Sequence, residues 1–205
     1  MRTIKIYNFL IKMGGKQAKK TNKKLPMMSI LAVGNSNAGK TALIRGYENL
    51  MNNGNCFISQ DIQTIQSEFY LVEYIIKEEK NKKTKIKVKM WDSSGNERFH
   101  TIVISAMKNT QGIVLVYDIT LRQTFDDLSG WIDTIKEIKD ITNFPIIIIG
   151  NKSDLEDKRQ VPIEEAKKFA EGFGLPYFET SVRTGEGVKE AFSALIEKVY
   201  EQNKK

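Results

Sequence analysis

Residues 34–41 read GNSNAGKT, a match to the pattern G-x-x-x-x-G-K-[ST]. Glycine-bearing loops of this kind turn successive backbone N–H groups onto phosphate oxygens, so Gly34, Asn35, Ser36, Asn37, Ala38 and Gly39 form a candidate cradle. Lys40 would place a positive charge beside the terminal phosphates, and the Thr41 hydroxyl would reach a Mg²⁺ ion. Asn37 stands where glycine could have stood, and asparagine is among the non-glycine residues least penalised at positive φ. A second group, Asn151-Lys152-Ser153-Asp154, supplies a base reader. A carboxylate at Asp154 can accept from both the ring N1–H and the exocyclic amine of guanine, a donor pair that adenine lacks. Asn151 can brace neighbouring loops or the base, and the aliphatic stem of Lys152 can lie along the purine face. Thr180-Ser181-Val182 forms a third loop whose N–H groups could reach the base oxygen. The fourth stretch is WDSSGNERF, residues 91–99, where an apolar run ends in an Asp, a Gly and an Asn. Its chemistry turns on whether the Asn96 amide positions a water molecule or stops one methylene short.

These residues need elements to carry them. Met27 to Val33 is a short apolar run before the first loop, and Ala42 to Met51 has helical character. Phe69 to Ile76 and Ile86 to Trp91 read as strands joined by the Lys-rich turn EEKNKKTK. Ile113 to Tyr117 and Phe144 to Ile149 are continuous apolar runs rich in Ile and Val, as strands buried on both faces are, and Pro176 to Glu179 leads into the third loop. Helical patterns occupy Leu128 to Ile138, Ile163 to Ala170 and Val188 to Tyr200. The last carries Val188, Ala191, Phe192, Leu195, Ile196 and Val199 on one stripe. The alternation predicts an α/β fold, an open, mostly parallel sheet with helices on both faces, with each chemical loop at a strand end. The segment ENLMNNGN, residues 48–55, reads as a flexible loop from its Asn and Gly content.

The chain has 205 residues, of which 40% are hydrophobic and 28% charged, enough for one globular domain with some tail beyond it. No window approaches the run of about 18 apolar residues that a spanning helix needs. The lone cysteine, Cys56, allows no internal disulfide, points to a reducing compartment and reads as an ordinary loop residue. Net charge is +7, but residues 1–24 carry Arg2 and seven lysines with no acid, +8 in all, which leaves −1 for residues 25–205. The division is therefore a basic extension, 1–24, and a near-neutral domain, 25–205, with the boundary near Leu25-Pro26. The domain offers no nucleic-acid footprint. The extension could meet nucleic acid or anionic lipid, or be a solvated arm.

The order GNSNAGKT, TIQSEF, WDSSGNERF, NKSD and ETSVRTGEG resembles the Ras-superfamily small GTPases, and WDSSGNERFHTI, GIVLVYDIT, NKSDLEDKRQV and LPYFETS resemble the Rab family in particular. The resemblance covers roughly residues 26 to 202 and implies a Ras-like G domain of the P-loop NTPase class. It also implies a GTP/GDP switch that depends on Mg²⁺, hydrolyses GTP and works in vesicle trafficking through effectors, an exchange factor and a GTPase-activating protein. Carried over residue by residue, Gly34 to Thr41 bind phosphate, and Thr41 with Thr64 hold Mg²⁺, with Asp92 acting on the ion through water. Thr64 and Gly95 sense the γ-phosphate; Asn151, Lys152, Asp154, Ser181, Val182 and Arg183 form the guanine site. Phe57 lies where an aromatic packs over the nucleotide, or is a plain loop contact. Lys40, Thr64 and Asn96 are the candidate catalytic residues.

The departures from that family matter as much. Asn96 stands where the family has Gln, and in phosphoryl transfer that amide orients the attacking water. Slow intrinsic hydrolysis is the expectation, unless a shifted loop or a partner's own Gln restores the geometry. Ser94 stands for Ala, Asp61 for the Tyr frequent in Rabs, and Gln66 for Gly. His100 stands where Rabs often have Arg and reads as a surface contact. Phe69 and Trp91 match two members of the Rab aromatic surface triad, but the third position is Ala106, with Met107 beside it. The chain ends YEQNKK without the prenylated cysteines of Rabs. Two substitutes for membrane attachment lie at the N-terminus. MRTIKIYNFLIKM could lie in the interface with lysines behind it, or Met13 could be a start that exposes Gly14 to myristoylation, although Ala18 departs from that motif. A functionless extension is the third reading. The expected protein is a monomer, cytoplasmic or peripheral on the cytosolic face of a membrane. A GTP-loaded tether with little hydrolysis is the alternative; a P-loop ATPase or small-molecule kinase is disfavoured by NKSD.

Overall fold

The computed structural model describes residues 26–56, 68–78, 82–93 and 100–204. Phe57, Asp61, Thr64, Gln66, Ser94, Gly95, Asn96 and the extension 1–24 lie outside the described residues, as does the side chain of His100.

Six strands form one sheet: β1 Met27–Val33, β2 Glu68–Lys77, β3 Lys83–Asp92, β4 Gly112–Asp118, β5 Ile146–Asn151 and β6 Tyr177–Thr180, in the order β2-β3-β1-β4-β5-β6. Only the β2–β3 pair is antiparallel, so the ends of β1, β3, β4, β5 and β6 all reach one edge. The helices are α1 Lys40–Asn53, α2 His100–Asn109, α3 Arg122–Asp126, α4 Leu128–Lys136, α5 Ile163–Gly172 and α6 Val188–Asn203. The central strands β4 and β5 are buried along their whole length, as their unbroken Ile/Val runs require.

The core lies on both faces of the sheet. On one face α1 and α6 pack through Leu43, Ile44, Tyr47, Phe192, Leu195 and Ile196. The other is covered by α2, α4 and α5 through Val103, Met107, Leu128, Ile132 and Ala166. All six residues of the predicted α6 stripe are buried.

Three expectations need correction, and two helices had none. ENLMNN is helix rather than flexible loop. Leu50 and Met51 pack against the core, and Gly54, at φ 76, ends α1 with its N–H on Leu50 O at 3.0 Å. Strand β5 begins at Ile146 rather than Phe144, because Phe144 N bonds back to Asp140 O at 2.9 Å and Pro145 follows. Cys56 is a buried core residue rather than a loop bystander, and burial pushes its thiol pKa up. Finally, α2 and α3 carried no recognised pattern. In α2 the run Thr101-Ile102-Val103-Ile104 is β-branched throughout and reads against a helix, and tertiary packing of Val103 and Met107 overrides it.

The Tyr47 and Phe192 rings stack with centroids 4.6 Å apart and join the two helices of one face. Phe192→Ala should cost about 3–5 kcal/mol, read as a lowered urea midpoint at unchanged slope.

Candidate nucleotide site

Strand β1 delivers the first loop to the C-terminal edge of the sheet. Gly34, at φ 139, passes so close to β4 that a Cβ there would lie 2.1 Å from Val116 O. Asn37 takes φ 63, the positive value its type tolerates. Gly39, at φ 91, starts α1, and the dipole of that helix points into the loop. Lys40 is buried and donates from Nζ to Gly34 O at 2.9 Å and Asn35 O at 2.8 Å, so the ammonium curls over its own loop. The Asn35 side chain is clamped from α4: Trp131 Nε1 donates to its Oδ1 at 3.1 Å, and its Nδ2 donates to Asp127 Oδ2 at 2.5 Å. That clamp is invisible to local sequence patterns, since Asp127 and Trp131 lie more than ninety residues away along the chain.

Beside this loop, Thr41 Oγ1 donates to Asp92 Oδ2 at 2.6 Å. A hydroxyl and a carboxylate are hard oxygen donors of the kind Mg²⁺ accepts. No group of three or more His, Cys, Asp or Glu gathers among the described residues.

The NKSD loop and the loop after β6 meet the loop of residues 34–41 through one buried amide. Asn151 Nδ2 donates to Ala38 O at 3.1 Å, and Thr180 Oγ1 donates to Asn151 Oδ1 at 3.1 Å. Of the two roles open to Asn151, the geometry selects the loop brace. A Cβ on Gly39 would fall 2.1 Å from Asn151 Nδ2 and 3.9 Å from Lys152 Cε, which puts the lysine stem beside the phosphate loop. Lys152 has φ 68, and its Nζ lies 2.6 Å from Asp118 Oδ2 at the end of β4. Asp118 is the residue sequence reasoning missed. Its signal is a carboxylate closing an otherwise apolar strand, buried yet held by Thr120, whose N–H and hydroxyl donate to Oδ1 at 2.8 and 2.7 Å. Asp154 is fixed by Ser181, whose Oγ donates to Oδ1 at 2.7 Å, and Arg183 Nη1 stands 4.0 Å from Oδ2. The Ser181 N–H itself is bonded to Glu186 O at 3.0 Å, so this residue serves the site by its hydroxyl rather than its amide. Val182 packs near Gly46 and Cys56 under the same loop.

A parallel sheet with a phosphate loop at its topological switch defines the P-loop nucleotide-binding class. A family model for the Ras family matches residues 29–201. Among curated proteins, Ras-related protein Rab-13 of Bos taurus is 38% identical over 170 residues, 82% of this chain and 78% of the relative. Ras-related protein Rab-4 of Dictyostelium discoideum is 36% identical over 172 residues, 83% and 78% of the two chains. Ras-related protein RABD2a of Arabidopsis thaliana is 33% identical over 176 residues, 86% and 81%. The chain belongs to the Ras family and is a Rab-like small GTPase.

Two outcomes follow from this geometry. Asn151→Ala leaves Ala38 O and Thr180 without their shared partner, a loss of about 1–3 kcal/mol, and should speed GDP dissociation by about tenfold or more in a fluorescent-nucleotide chase. The second concerns pH. Burial lowers the Lys40 ammonium from its ordinary 10.5 to about 8, against an opposing pull from Asp92. Between those two values the unfolded chain holds a proton that the folded, nucleotide-free chain has lost, so nucleotide-free stability rises with pH across the window. Phosphate favours the charged form, so nucleotide affinity should fall as pH climbs above about 8. A flat affinity profile there would remove Lys40 as the charged partner of the phosphates.

Proposed function

We propose that this protein is a Mg²⁺-dependent GTP/GDP switch that hydrolyses GTP slowly and acts in vesicle trafficking. The observation that carries the reading is the pair of joints, buried from Asn151 to Ala38 and part-buried from Ser181 to Asp154, which support one ligand with phosphate at one end and guanine at the other. Asp154 accepts from guanine, Lys152 lies along the base, and the Val182 and Arg183 backbone faces the base oxygen. Residues 34–41 hold the phosphates, with Phe57 over the nucleotide. Mg²⁺, when bound, neutralises phosphate charge; Thr41, Thr64 and, through water, Asp92 would hold it. Thr64 and Gly95 respond to the γ-phosphate, and Asn96 orients the attacking water.

The loaded form presents its effector surface beside Phe69 and Trp91. Their rings lie 5.5 Å apart, with Lys89 Nζ over both at 4.2 and 4.0 Å. Phe69 is half exposed, whereas Ala106 is half-buried and Met107 is buried, so the third position of the triad offers no flat anchor. An effector for this face differs from one that reads three aromatics. No helix among the described residues is long and apolar enough to cross a membrane; the basic extension 1–24 supplies a peripheral attachment in this reading.

Chromatography of the nucleotide released from purified protein should give guanine nucleotide, and adenine would overturn the base assignment. In single-turnover hydrolysis, Asn96→Gln should exceed the parent rate, with a gain on the order of 10²-fold where a misplacement of about 1 Å is corrected. Equal rates would mean that the shorter amide reaches its water.

A further inference from the structure

One face of the β2–β3 hairpin is open to solvent over much of its length. Strand alternation and register put residues 69, 71, 73, 75 and 77 of β2 and 83, 85, 87, 89 and 91 of β3 on one face. Towards the end remote from the nucleotide site, this face carries Leu71, 49% exposed, and Ile75, 53% exposed, with Met27 of β1, 58% exposed, beside Lys87. Interleaved with them are Lys83, Lys85 and Lys87, all exposed. The one acid among these positions, Glu73, is ion-paired with Lys85. Each apolar side chain thus stands between flexible ammonium groups on an open sheet surface.

Charge decides what can sit there. The extension of this chain, at +8, is repelled by the lysines and is not the occupant. It does, however, join the domain at Pro26 and Met27, on the border of this very face. Two basic features that share one border are complementary to one broad anionic surface. Single apolar side chains among lysines suit the headgroup and acyl boundary, where Leu, Ile and Met insert and Lys stems snorkel back to phosphate.

We propose that this face of the β2–β3 hairpin, through Met27, Leu71, Ile75, Lys83, Lys85 and Lys87, docks on an anionic lipid bilayer by its end remote from Phe69 and Trp91 and acts with the N-terminal extension. The docked face points the hairpin at the membrane and leaves the nucleotide edge, at the other ends of the strands, turned aside. The inference stands apart from the nucleotide assignment, because none of these six residues touches that site.

The test is co-sedimentation of the full chain with phosphatidylcholine vesicles that do or do not contain phosphatidylserine. The parent should bind only the phosphatidylserine vesicles, with affinity that falls as salt rises. The triple variant Lys83→Gln, Lys85→Gln, Lys87→Gln, with the extension intact and nucleotide retained as the check on folding, should lose about tenfold or more of that affinity. Leu71→Ser with Ile75→Ser should weaken binding at high salt as well. A triple variant that partitions like the parent would show that the extension carries the attraction alone and would discard the face. Binding to soluble polyglutamate without binding to phosphatidylserine vesicles would assign the face to an acidic polypeptide and overturn the lipid assignment.

Discussion

The site depends on the buried side chain of Asn151. One amide spends its donor on Ala38 O of the phosphate loop and its acceptor on Thr180 of the third loop, so three segments distant in sequence become one rigid frame. Each bond lies out of water, where an unmet partner costs far more than the bond itself contributes when exposed. Loss of the frame would leave each loop intact yet free to drift relative to the others. Gly39 follows from the same constraint, because a side chain there would occupy the space of Asn151 Nδ2.

The frame is possible only because the sheet brings its strand ends together. Register pairs Asp118 with Asn151 and Asn151 with Thr180 across β4, β5 and β6, so each functional residue closes its own strand beside the next. Beneath them, Gly150 admits the Tyr117 and Tyr177 hydroxyls, 2.9 Å apart, and the Tyr177 hydroxyl donates to Glu179 Oε1 at 2.7 Å. Arg159 then holds Glu179 with two bonds of 2.8 Å. This polar layer stiffens the base of the NKSD loop from below, while Asp118 and Ser181 hold it from above.

Most of the frame was legible because its parts are local. The phosphate loop, the base-reading tetrapeptide and the apolar strands each announce themselves within a few residues, and the α6 stripe is correct at every position. What escaped the sequence is relational. Asn35 gives no hint that Trp131 and Asp127 will grip it, nor Lys152 that its ammonium will turn to Asp118. Helix α2 escaped for a different reason: its β-branched run argues locally for a strand, and only the packing of Val103 and Met107 makes it helical. Gly54 misled in the opposite sense, since a residue read as a sign of loop was a helix stop at positive φ.

Lys40 shows how binding and folding are joined in this architecture. The chain buries an ammonium among the carbonyls of its own loop, and desolvation dominates over the attraction of Asp92. A cation so placed is stabilised by two neutral acceptors, weaker partners than an anion in the same surroundings. In the proposed reading, a nucleotide phosphate would supply that anion where the loop amides and the α1 dipole already point. The interaction that costs the empty fold stability is therefore the one that nucleotide relieves, and any ligand bound by the folded state alone shifts the equilibrium towards it. On the proposed reading a loaded protein would be the more stable one, and exchange would pass through a state in which Lys40 has lost its phosphate partner.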